Sequence, residues 1–103
     1  MTKTDSYLIF TLLAEGDKTE EEIFKKVKKM GFPLGESEKG NIRLELRYHK
    51  TLEEVEIKKN KYHLIVPIDT FSIKSGIRNY LIDRAFDNSQ PIKNLKTKLE
   101  NYI

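Results

Sequence analysis

The chain of 103 residues contains no cysteine, which excludes both a disulfide framework and a thiolate zinc site. Only two histidines occur, His49 and His63, and neither has a carboxylate at a recognisable ligand spacing, so no metal is expected. The apolar run from Tyr7 to Ala14, broken by Thr11, is too short to span a bilayer, and no small-residue cleavage site follows it. The five glycines form no phosphate-cradling loop. No nucleophile stands beside a base, and no carboxylate pair has a reason for divided pKa values. Neither enzymatic chemistry nor a cofactor is therefore expected. These absences fit a cytoplasmic protein with no membrane partner, folded as a single domain over residues 1–103 and large enough to bury its own core.

What the chain does have is unevenly spread charge. The net charge is +3, with six Lys/Arg against eight Asp/Glu in residues 1–38, seven against four in residues 39–68 and six against four in residues 69–103. The basic middle coincides with two patterned stretches. Lys39, Arg43, Arg47 and Lys50 fall at i, i+4, i+8 and i+11, so on a helix they share an arc of roughly 80°. After them Val55 and Ile57 alternate, Lys58, Lys59, Asn60 and Lys61 follow, and Tyr62, Leu64 and Val66 alternate again. That is the signature of a hairpin with a basic tip.

In chain order, Asp5 or Ser6 can cap a first helix that ends near Glu15, where Gly16 offers a left-handed stop. Thr19 and Glu22 form a capping box opening a second helix, with Ile23, Val27 and Met30 on its inner face. Gly31 and Pro33 end it. Ser37 can cap a third helix over about residues 38–52, with Ile42, Leu46 and His49 on one apolar flank and Leu44, Tyr48 and Leu52 on another. Glu45 falls between those flanks, facing either a gap between neighbours or a lysine of the second helix. Asp69 or Thr70 can cap a fourth helix from about Phe71 to Phe86, weakened by Gly76 unless close packing uses the space. Pro91 suits the first position of a fifth helix capped by Ser89 or Gln90. The expected fold is mainly α with a small β-hairpin.

Helix, helix, turn, helix and hairpin within residues 6–67 resemble the winged helix-turn-helix domain, as found in small archaeal or viral regulators. The residues that carry the resemblance are Leu46, His49, Leu52 and Val55 at the end of the third helix and the strand EVEIKKNKYHLIV after it. The family commonly places a leucine, a glycine and a valine there, whereas this chain has Glu53-Glu54-Val55 and lacks the glycine. Residues 69–103 extend the minimal domain with two further helices.

The resemblance implies that the third helix enters the major groove of double-stranded DNA. Arg43 and Arg47 would then reach guanine edges, while Lys39 and Lys50 touch phosphates. The tip residues Lys58, Lys59, Asn60 and Lys61 would meet the flanking backbone. A bland alternative stands beside this one, since charges on a helix face are usually solvated and tip lysines also blunt a strand edge. Ile92, Leu95, Leu99 and Tyr102 form a terminal stripe that either builds a homodimer interface or packs onto the first helix. The expected function is a sequence-specific DNA-binding transcription regulator. The alternative is an accessory subunit of a replication, transcription or partition complex, docked to a protein partner through its acidic first third.

Overall fold

The apolar run near the N-terminus becomes the central helix. The computed structural model describes residues 3–103, and in it α1 (Lys3–Ala14) is buried from Leu8 through Leu13. Thr11 enters that core because its hydroxyl donates back to the Tyr7 and Leu8 carbonyls. Helix α1 is already formed at Lys3, so Asp5 and Ser6 are helical residues rather than the caps expected from sequence.

Beyond α1 the chain turns through Gly16 at φ 145°. Lys18 then folds back. Its ammonium donates to the Leu12 carbonyl at 2.7 Å and the Gly16 carbonyl at 3.2 Å, neutralising the negative end of α1. Burial of Lys18 lowers its pKa from the usual lysine range.

Helix α2 (Glu20–Lys29) opens with the expected capping box. Thr19 Oγ1 accepts from the Glu22 amide at 3.2 Å, and Glu22 Oε1 accepts from the Thr19 amide at 2.8 Å. Helix α3 (Glu36–Thr51) starts earlier than Ser37 predicted. Its cap is Gly35, whose amide donates to Glu38 Oε1 at 2.7 Å. At its other end the Glu53 amide donates to the Lys50 carbonyl at 3.1 Å and the Glu54 amide to the His49 carbonyl at 3.0 Å. This is a Schellman closure, and it requires a left-handed residue after the cap. Glu53 supplies it at φ 59°, taking the conformation that glycine adopts most easily.

Strands β1 (Val55–Lys58) and β2 (Lys61–Leu64) pair antiparallel in the register Val55↔Leu64 to Lys58↔Lys61. The turn is Lys59-Asn60, both left-handed at φ 50° and 67°, which matches the twist of a two-residue hairpin. The outer edge of β2 is stitched to the turn before α2. Lys18 donates to the Tyr62 carbonyl at 3.1 Å and accepts from the Tyr62 amide at 2.7 Å.

Helix α4 (Phe71–Asp83) stops three residues short of the expected Phe86. Lys96 seals that end by donating to the Arg84 and Asp87 carbonyls at 3.0 and 2.9 Å. Gly76 is not a weakness here, because a Cβ would lie 2.3 Å from the Tyr7 hydroxyl. Tyr7 stacks 5.1 Å from Tyr80, whose own hydroxyl bonds Thr4 Oγ1 at 2.7 Å. Helix α5 (Gln90–Glu100) lies against α1 and buries Leu95 and Leu99 completely. The stripe Ile92, Leu95, Leu99 and Tyr102 is therefore covered within the chain. Ile92 and Tyr102 are half-buried, and Tyr102 packs on the core. The dimer interface expected there loses its basis, since an apolar stripe predicts that something covers it but not what.

The described residues thus form a mainly helical fold with one small antiparallel hairpin, and no helix among them is long and apolar enough to cross a membrane.

Candidate functional site

The 3.6-residue period of α3 aims its basic residues toward the hairpin. Arg43, Arg47 and Lys50 line one groove of about 170 Å³ with Leu46, with Ile57 and Tyr62 of the hairpin, and with Glu20 from the first turn of α2. Three of the four stripe residues converge there. Lys39 does not. It lies over the Phe24 ring at 5.7 Å, near Glu36 at 4.0 Å, and belongs to a neighbouring recess.

The groove is not purely cationic. Arg43 Nε donates to Glu20 Oε1 at 2.7 Å, and its guanidinium sits 5.3 Å from the Phe24 centroid. Arg43, though exposed, is thus held against α2, whereas Arg47 and Lys50 are exposed and have no ion-pair partner among the described residues. The Tyr62 hydroxyl registers the same field. Burial, then Glu20, holds its pKa above the usual tyrosine range, while Arg47 and Arg43 pull it down. At the hairpin tip Lys59, Asn60 and Lys61 are exposed, and Lys58 pairs with Glu56 at 3.1 Å.

The sequence reading missed Glu20 because a first-turn glutamate is already explained by the helix dipole. It also assigned Leu44, Tyr48 and Leu52 to the core. They are 48%, 46% and 48% exposed, because Glu45 occupies the buried face instead. Glu45 Oε1 accepts the Ser6 hydroxyl, and neither environment expected for it is found. His49 Nε2 lies 3.1 Å from Ser6 Oγ and 3.6 Å from Glu45, while Nδ1 meets Glu54 Oε1 at 2.7 Å. Glu45 Oε2 is buried with no hydrogen-bond partner among the described residues.

Ser6, His49 and Glu54 stand in the order hydroxyl, imidazole, carboxylate that activates a nucleophile in acyl transfer. Ser6, however, gives its proton to Glu45, so the imidazole has no hydroxyl proton to take in this arrangement. The cluster ties α1, α3 and the entry to β1 together, which is a structural task. His63 does similar work from β2, one rung from the root of the hairpin, meeting Asp17 Oδ1 at 2.7 Å.

A second basic recess of about 400 Å³ opens between α2 and α5. Leu12 and Met30 line it with Lys26, Lys29 and Lys98, the last paired with Glu15 at 2.6 Å. Lys26 and Lys29 of α2 and Lys98 of α5 thus share one concave surface. Compared with family models, curated proteins and solved structures, the chain matches none of them.

Proposed function

We propose that the protein binds double-stranded DNA as a sequence-specific transcription regulator of the winged helix-turn-helix kind, acting in the cytoplasm. The observation that carries the reading is the convergence of Arg43, Arg47 and Lys50 with Ile57 and Tyr62 of the hairpin on one groove. A helix that presents cations to a concavity walled by a ribbon whose tip is basic suits a polyanion of duplex dimensions. The helix order and the stitch from Lys18 to Tyr62 also support a hairpin held beside α3 as a wing.

In this reading Arg47 enters the major groove first, because no ion pair among the described residues holds it, and Arg43 follows after leaving Glu20. Lys39 and Lys50 contact phosphates, and the tip residues Lys58, Lys59, Asn60 and Lys61 extend over the flanking backbone without reading bases. Labelled duplex titrated at several salt concentrations tests it. Arg47→Ala should abolish sequence preference, and Lys59→Ala should weaken all duplexes alike and reduce the salt slope by about one. A parent protein with no duplex binding even at low salt overturns the proposal.

A second reading has one observation in its favour. Leu44, Tyr48 and Leu52 form a half-exposed apolar flank on α3 beside the cations. A protein partner of a larger assembly would use that flank, and Tyr48→Ala would then abolish docking while leaving duplex binding intact.

A further inference from the structure

A recess of about 270 Å³ opens between α1, the end of α3 and the start of α4. It shares no lining residue with the groove of Arg43, Arg47 and Lys50, so it stands apart from the DNA reading. Its walls are aromatic. Tyr7, Phe10 and Tyr48 line it, with the Phe10 ring 4.7 Å and the Tyr48 ring 5.3 Å from the ring of His49. Tyr48 and Leu52 are half-exposed, which leaves the recess open to a guest from solution.

The floor is negative. Ser6, His49 and Glu54 reach the lining, and Glu45 stands behind them, accepting from Ser6. Two carboxylates face one imidazole, so one negative charge stays uncompensated even with the ring protonated. Glu45 adds a buried oxygen that no donor among the described residues satisfies, and its low-dielectric surroundings screen that oxygen poorly. Glu54 is the carboxylate nearest solvent, its side chain 25% exposed. Tying α1 to α3 requires these hydrogen bonds but neither the excess charge nor the aromatic walls. Lys3 is the one lysine or arginine among the described lining residues, exposed and held by no ion pair among them.

We propose that this recess binds a small organic cation, a primary or quaternary ammonium carried on an aromatic or compact apolar body. Aromatic rings attract a cation through their quadrupole, most strongly where water is displaced. Glu54 supplies a charge-assisted acceptor beside them. A neutral guest would gain the apolar contact alone, and an anion would meet like charge. The volume lies just below the roughly 300–1,000 Å³ of drug-sized pockets, which limits the guest to a single ring with its amine. Tyr48 and Leu52 also belong to the flank that the second reading gives to a protein partner, but a small cation needs no partner to bind.

The test titrates the full chain with benzylammonium, benzyl alcohol and benzoate, one ring carrying a positive, a neutral and a negative group, at one pH and ionic strength. Calorimetry gives the affinities, and amide chemical shifts locate the site. Benzylammonium should saturate a single site at least tenfold more tightly than either of the others, moving the amides of Tyr48, His49 and Glu54. Tyr48→Ala, which truncates a half-exposed ring, should weaken it at least fivefold with unchanged circular dichroism. Glu54→Gln keeps an acceptor for His49 and should erase the preference for the cation over the alcohol. Lys3→Ala should tighten the cation, because a like charge leaves the mouth. No saturable binding through millimolar benzylammonium, equal affinity for the three probes, or a Tyr48→Ala variant that binds like the parent overturns the proposal.

Discussion

Replacing Glu20 with glutamine isolates the one acidic group in the proposed DNA-binding groove. The Arg43–Glu20 contact is short at 2.7 Å, but its side chains are 46% and 35% exposed, so water screens it and it stabilises the fold by only about 0.2–1 kcal/mol. A bidentate arginine contact to guanine contributes about 1–3 kcal/mol of discrimination, so Arg43 can leave Glu20 for a base at a net gain. Glu20→Gln removes the cost of that departure. It also removes a negative charge facing phosphates, an effect of about 0.6 kcal/mol at a separation of roughly 7 Å in water. Together these come to about 1 kcal/mol, or roughly fivefold tighter duplex binding. Stability should move the other way, because Glu20 also favours the positive end of α2 by about 0.3–1 kcal/mol. Fluorescence anisotropy with a labelled duplex at fixed salt measures the first effect and a denaturant melt the second. In an Arg43→Ala background the gain should shrink to the charge effect alone. Parent-like or weaker affinity in Glu20→Gln refutes the idea that Glu20 restrains Arg43.

Other expectations concern the scaffold. Gly76→Ala should destabilise the protein by about 1–3 kcal/mol, despite a helix propensity gain of up to about 1 kcal/mol, because Tyr7 is wedged between Phe10 and Tyr80 and cannot yield; a raised melting temperature would contradict this. Glu53→Gly should stabilise the protein by up to about 1 kcal/mol, seen as a raised denaturant midpoint at unchanged m, the left-handed strain relieved less the extra freedom of an unfolded glycine. On the acid side, hydrogen bonds from the Thr19 amide and hydroxyl hold Glu22 below the usual carboxylate range, and those from Ser89 do so for Asp87. Their stabilisation is complete above that range and lost as pH falls through the lowered values. The parent's advantage over Glu22→Gln should accordingly shrink on acidification, as followed by melts at stepped pH. On the alkaline side, burial holds Tyr7 and Tyr62 above the usual tyrosine range, so their contribution is complete below it and lost as pH rises through the raised values. Tyrosinate absorbance should then appear in step with unfolding.

Local chemistry was legible and long-range partnership was not. The Thr19–Glu22 capping box lies within four residues, and its geometry follows from helix spacing alone. The arc of cations and the basic two-strand hairpin were readable for the same reason. Glu45 was visible as an anomaly, but its partner Ser6 lies 39 residues away and Ser6 looked like a cap. Arg43 looked free because Glu20, 23 residues earlier, already had an explanation in the helix dipole. Apolar periodicity was the weakest guide. It marked Leu44, Tyr48 and Leu52 as core although a buried carboxylate had displaced them, and it could not say whether α1 or another molecule covers Leu95 and Leu99. Phe71 and Phe86 looked like mere helix ends, since pattern alone does not reveal which faces a small fold leaves bare.

Glu54 occupies an unusual position in this economy of contacts. Its amide closes α3, its carbonyl accepts from Ile65 at 2.9 Å, and its carboxylate grips the ring of His49. The hairpin is therefore clamped at its root and supported again at Tyr62, leaving only the last rung and the Lys59-Asn60 turn overhanging, like a short cantilever. Compliance is concentrated at the lysines, while the walls of the groove keep their spacing. Such a beam adjusts its tip to an uneven charged surface without disturbing the side chains that would have to discriminate upon it.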